Sequence, residues 1–158
     1  MRISAKTDYA IRAAVEMAAR IPAGGADQRE LIKAEAIADA QAIPLRFLLT
    51  ILSELRHAGI VESRRGQDGG YRLARDPAEI TIADIIRAID GPLANIAGIR
   101  PEALDLTGSA APLRDVWIVL RSNIRAVLER VTLADLVAGE IPPEVAALAE
   151  EPDAWVSR

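Results

Sequence analysis

The chain has 158 residues, 51% of them hydrophobic and 3% aromatic, with no cysteine and a formal net charge of −4. That length and apolar content suffice for a packed core and exclude wholesale disorder. The missing cysteines exclude disulfides, thiolate metal sites and cysteine nucleophiles.

Ala, Leu and Ile dominate, which favours helices packed through aliphatic side chains over a β-sandwich. The charge is uneven: residues 1–75 carry 12 Lys and Arg against 9 Asp and Glu, whereas residues 76–158 carry 7 against 14. Such asymmetry points to an N-terminal surface for a polyanion and a C-terminal half with another task.

In chain order, Ser4 is placed to cap a helix over residues 5–20, with Tyr9, Ala13, Val15, Met17 and Ile21 along one stripe. Pro22 and the Gly24-Gly25 pair end it. Residues 31–42 form a second helix, with Ile32, Ile37, Ala38 and Ala42 turned inward. Pro44 breaks the chain and opens a third helix over residues 44–58. Its apolar set (Leu45, Leu48, Leu49, Ile51, Leu52 and Leu55) is broad enough to bury most of two sides.

Helix, short break and helix make a helix-turn-helix pattern, although many helical hairpins of this kind bind nothing. The segment immediately downstream gives the pattern specificity. Short strands over residues 60–63 and 71–74 flank a turn containing Gly66, Gly69 and Gly70 and bordered by Arg64, Arg65, Arg72 and Arg75. A cationic hairpin there suits a wing that reaches along phosphates or into a minor groove.

Thr81 and Asp84 then form a Thr-x-x-Asp cap for a helix carrying Ile82, Ile85, Ile86 and Ile89, which stops at Gly91-Pro92. Residues 92–112 read as a loop with at most one helical turn. Residues 113–131 are the longest periodic segment, with Val116, Leu120, Ile124, Val127, Leu128 and Val131 at helical spacing. A second Thr-x-x-Asp cap at Thr132 leads into a short helix ending at Ala138, and an acidic, loosely attached tail fills residues 140–158.

The fold expected is mainly α with a small β-hairpin: a winged helix-turn-helix domain over residues 1–80, then a linker helix, loop and long dimerisation helix over 81–139. Candidate DNA contacts are Arg46 and Thr50 on the third helix, with Phe47, Ser53 or Glu54 beside them, and Arg64, Arg65 and Arg72 in the wing. Lys6 and Tyr9 in the opening segment join them. Arginine reads guanine edges or phosphates, and threonine reads a base methyl or a phosphate.

Other features have plain structural readings. The single histidine, His57, beside Arg56 suits a helix C-terminus and has no catalytic partner. Asp84 and Asp90 read as cap and surface residues, and the glycine run lacks the Gly-Lys-Ser/Thr of a phosphate loop. With one histidine and no cysteine, no metal constellation, cofactor loop or enzyme active site can be assembled. The opening residues lack a signal-peptide core and no apolar run spans a bilayer, so a soluble cytoplasmic protein is expected.

Several segments together resemble a known family. They are residues 3–10 (Ile-Ser-Ala-Lys-Thr-Asp-Tyr-Ala), 35–38, 43–48 (Ile-Pro-Leu-Arg-Phe-Leu), 55–61, 63–66, 69–73 (Gly-Gly-Tyr-Arg-Leu), 80–84 and 133–135. The combination is similar to the Rrf2 family of bacterial winged-helix transcription regulators, which includes IscR, NsrR and CymR, and covers about residues 1–138.

The resemblance implies a homodimer held by the long helix, with Trp117, Leu120, Ile124 and Leu128 as candidate contacts, and a pseudopalindromic double-stranded DNA operator. It places Arg65 at the minor-groove position of the wing, and Arg46, Leu49 and Thr50 at the base-reading positions. Cluster-binding members place three cysteines in the loop that here runs from Leu93 to Pro112. This chain has none, so a thiolate-held iron–sulfur cluster is excluded and no cofactor is expected. Asp8, at a position that supplies a carboxylate ligand in some members, is left as a helix-start charge.

The function expected is a cluster-free dimeric transcription regulator, a repressor by preference, that answers to an unidentified effector or partner protein. The competing reading is a protein-interaction or small-ligand-sensing module with a vestigial wing.

Overall fold

The computed structural model describes residues 3–22 and 30–156. Ser4 caps α1 (Ala5–Ala19) by accepting the Thr7 amide proton. The helix packs against all three following helices through alanines. Ala10, Ala13 and Ala14 are fully buried, which lets neighbouring backbones approach closely. The Gly24-Gly25 stop expected after α1 lies outside the described residues.

The second helix starts later than its periodicity suggests. α2 is Ala34–Gln41, and Ile32 instead exchanges two 2.8 Å backbone hydrogen bonds with Tyr71. Ala42, expected to face inward, is exposed because it is the left-handed residue that ends α2, at φ 51°. The Ile43 amide then bonds back to Ala38 at 2.9 Å, closing the cap.

An alanine held there is strained by about 1 kcal/mol. Ala42→Gly is therefore expected to raise stability by about 0.5–1 kcal/mol, read as a rise of about 2–4 °C in thermal midpoint.

α3 (Leu45–His57) leaves α2 at a bend of 115°, within the range of DNA-binding helical pairs. Leu48, Ile51, Leu52 and Leu55 are fully buried, but Leu45 and Leu49 stay exposed at 37% and 42%. The buried face is therefore one stripe, not two, and the opposite side is exposed.

β1 (Val61–Arg64) and β2 (Gly70–Leu73) pair antiparallel, Val61 opposite Leu73 and Arg64 opposite Gly70. The glycines there are a packing requirement. A Cβ on Gly69 would collide with the Arg64 carbonyl oxygen, and one on Gly70 would lie 2.6 Å from that of Ile32.

α4 (Ile82–Asp90) and α6 (Leu133–Ala138) both begin in capping boxes, Thr81 with Asp84 and Thr132 with Asp135. The two caps sit side by side, bridged at Thr81 and Thr132, with Leu133 N–H donating to the Ile80 carbonyl at 2.9 Å. The core accordingly runs without a break through α1, α3, α4 and α6 and across residues 80–81, with Ile80, Ala83, Ile85 and Leu133 at 0% exposure.

The Thr132 hydroxyl and amide hold the Asp135 carboxyl below its ordinary value of 3.8. A depressed carboxylate contributes stability above that value, and the contribution is lost as pH falls through the folded one. Thr132→Ala is expected to flatten this acid limb, measured as thermal midpoint against pH between about 5 and 2.

The loop after α4 contains two 3-10 turns, Pro101–Ala103 and Gly108–Ala110, where at most one turn was expected. α5 (Leu113–Leu128) ends three residues before the predicted limit, and Val131 instead joins the core. The acidic tail is more ordered than its composition suggests. It forms α7 (Pro143–Ala149), with Val145 against the core and Glu144 3.5 Å from Arg130.

Candidate nucleic-acid interface

The helical periodicity that buries Leu48, Ile51, Leu52 and Leu55 turns Arg46, Leu49, Thr50 and Ser53 to the opposite side of α3. Arg46 is exposed and ion-paired to nothing among the described residues. The Thr50 hydroxyl lies 3.5 Å from the Arg46 carbonyl oxygen. At the end of the helix His57 meets the Ser53 carbonyl at 2.6 Å, and Arg56 donates to Ser63 of β1 at 3.5 Å. Recognition helix and wing are thereby adjacent.

The flank of α3 toward α1 is tied down. Lys6 pairs with Glu54 at 2.7 Å, and Tyr9 meets Phe47 edge to face with ring centroids 5.8 Å apart. These contacts set the angle at which α3 leaves the core. Lys6, Tyr9, Phe47 and Glu54 therefore act on one another first, and the charge of Lys6 is already matched.

The wing divides its arginines by register. Glu62 stands directly opposite Arg72, and their side chains pair at 2.6 Å. Arg75 is drawn inward to Asp84 at 4.0 Å. Arg64 and Arg65 are exposed and have no ion-pair partner among the described residues. Lys33, ahead of α2, donates to the Gln67 carbonyl and anchors the turn that carries them. That tether was invisible to sequence reading, because it depends on the strand bridge at Ile32.

The candidate contacts on α5 also separate. Ile124 and Leu128 pack against the protein's own core and Trp117 is half-buried. Leu120 stays exposed at 43%, beside Val116 at 55% and Val119 at 59%. With 100° per residue Val119 lies on the side away from the core, with Val116 beside it, while Leu120 and the half-buried Val127 sit on the flank toward Ile124. Val119 falls outside the periodic stripe of the sequence, which runs through Val116, Leu120, Ile124 and Val127.

Helix-turn-helix, two-stranded wing and an appended long helix define a winged-helix DNA-binding regulator. Residues 3–139 match the family described as Rrf2, iron-dependent transcriptional regulator, and the chain belongs to that family. It is 46% identical over 151 residues to the "Putative HTH-type transcriptional regulator Rv1287" of Mycobacterium tuberculosis, covering 96% of this chain and 90% of that one. The HTH-type transcriptional regulator CymR of Bacillus subtilis is 32% identical over 138 residues, 87% of this chain and 91% of its own. The solved structure of B. subtilis CymR superposes with a TM-score of 0.71 at 30% identity, over 88% of this chain and 98% of that chain.

The protein is thus a DNA-binding transcription regulator and not an enzyme. The family description names iron, and thiolate-held iron needs cysteine. The loop offers Asn95, Glu102 and Asp105 but no cysteine or histidine, a donor set that does not fit a thiolate-held cluster. No group of three or more metal-ligating side chains occurs among the described residues. No single described helix is long and apolar enough to cross a membrane.

Proposed function

We propose that the protein is a homodimeric, cluster-free repressor that binds a pseudopalindromic operator in double-stranded DNA. The observation that carries this reading is the division of cationic side chains. Arg46, Arg64 and Arg65 are exposed without ion pairs among the described residues, whereas Lys6, Arg72 and Arg75 are engaged. Unmatched arginines next to a helix-turn-helix are what phosphate and base contacts require.

In this reading Arg46 and Thr50 enter the major groove, and Arg65 enters the adjacent minor groove with Arg64 on the phosphates. Leu49 offers an apolar surface to a thymine methyl group. Two copies meet through the exposed face of α5 (Val116, Val119 and Leu120), placing the readers about one DNA turn apart. Occupying a promoter excludes polymerase without further contacts, which favours repression over activation.

A genome-wide footprint of the bound protein tests the assignment. Sites with inverted symmetry, clustered in promoters whose transcripts rise on deletion, are expected. Binding without sequence preference would contradict it.

A further inference from the structure

A cavity of about 460 Å³ opens between α4, the loop after it and α5. Arg87, Arg100, Arg121 and Arg125 line it, with Asn95 and Glu102. These are four of the seven basic residues in a half of the chain that carries fourteen acidic ones. Concentrating them in one place works against their mutual repulsion, so neighbouring charges need to be counted.

Glu102 pairs with Arg121, and Glu129 with Arg87 and Arg125. Asp84 lies 3.8 Å from Arg87 and 4.0 Å from Arg75. Both glutamates are held below the usual carboxylate range. For Glu102 the cause is first a hydrogen bond from its own backbone and then Arg121; for Glu129 it is Arg87 and then Arg125. The four lining arginines therefore meet three carboxylates, Glu102, Glu129 and Asp84, and one positive charge stays unmatched. Arg100 makes no ion pair within 4.0 Å among the described residues, although its charge also helps to lower Glu102.

The dimer face does not use these groups. On α5, Arg121 and Arg125 lie roughly opposite Val116 and Val119. The wing and α3 do not use them either.

We propose that this cavity binds a small dianion, a dicarboxylate or a phosphate ester. Guanidinium forks match both oxyanions in bidentate geometry. Arg100 and Arg125 would take the anionic groups, with Glu102 releasing Arg121 to the ligand, while Pro92 and Leu93 line the apolar part. Because α4 packs on α1 and α3, an occupant that draws Arg87 and Arg100 together bears on the recognition helix. That regulatory consequence rests on the DNA-reading function proposed above; the binding itself does not.

The full chain is titrated separately with succinate and with inorganic phosphate, against sodium chloride at equal ionic strength, by calorimetry and thermal midpoint. A saturable signal is expected, with a midpoint rise of about 5–10 °C at one hundred times Kd. Arg100→Ala and Arg125→Gln should each weaken binding by about tenfold or more while keeping the ligand-free midpoint. A response to succinate alone assigns a dicarboxylate, and one to phosphate alone a phosphate ester.

Responses no greater than with chloride, or unchanged in both variants, overturn the proposal. So does a loss of DNA affinity in Arg100→Ala in anion-free buffer, which would make the groove a phosphate-backbone surface. Anion binding by a protein that binds no operator would leave the site standing and remove only its regulatory consequence.

Discussion

Replacing Arg46 and Arg65 together by alanine is expected to lower operator affinity by about 2–6 kcal/mol, each contributing about 1–3 kcal/mol. The sites are on different elements and share no described partner, so their effects should add. Removing two cationic side chains per protomer should also flatten the dependence of affinity on salt, by roughly one unit of slope for each phosphate no longer neutralised.

Stability should scarcely change, because both side chains are exposed and unpaired among the described residues. Arg72→Ala is the matched control. Its guanidinium is engaged with Glu62, so its removal should cost operator affinity less than either of the others. Fluorescence anisotropy over a salt series, with thermal melts alongside, reads every part of this. Equal losses for Arg65 and Arg72 would mean that the cross-strand pair opens on DNA.

Val119→Glu is expected to convert the protein to a monomer at micromolar concentration and to weaken operator binding by about a hundredfold or more. A two-fold interface presents the same patch twice, so one substitution buries two like charges against each other. Separating the readers also removes the linkage between half-sites, which is worth about 10²–10⁴ in affinity.

The variant should still fold, since Val119 is 59% exposed. Leu128→Glu, on the face that packs against the core, should instead lower the melting temperature sharply. Sedimentation velocity separates the two outcomes. A Val119→Glu protein that remains dimeric would move the interface elsewhere on the chain.

The periodic patterns carried most of the architecture. Ser4, Thr81 and Thr132 announce helix starts through chemistry local to three residues, and all three cap as expected. The wing was legible for a similar reason, because closely spaced glycines between arginines suit few structures other than a tight cationic hairpin.

What sequence could not supply was long-range. The α2 boundary moved to Ala34 because Ile32 found a strand partner some forty residues away. Leu45 and Leu49 look like core residues by type, yet Leu49 is outside by its angular position on α3 and Leu45 by its place as the first residue of that helix. Likewise, Arg65 and Arg72 are equivalent in composition, and only the register opposite Glu62 separates them. The arginines of the cavity are spread from Arg87 to Arg125, and nothing local shows that they converge.

Everything proposed for DNA reading depends on two chains sharing one symmetric site through α3 and the wing. A footprint of the wild-type protein on the promoter of its own operon, with stoichiometry measured on the same fragment, tests this most directly. Two chains per site and two protected half-sites about one helical turn apart are expected, with affinity that falls steeply with salt. A single chain per site, or protection without sequence preference, would contradict it.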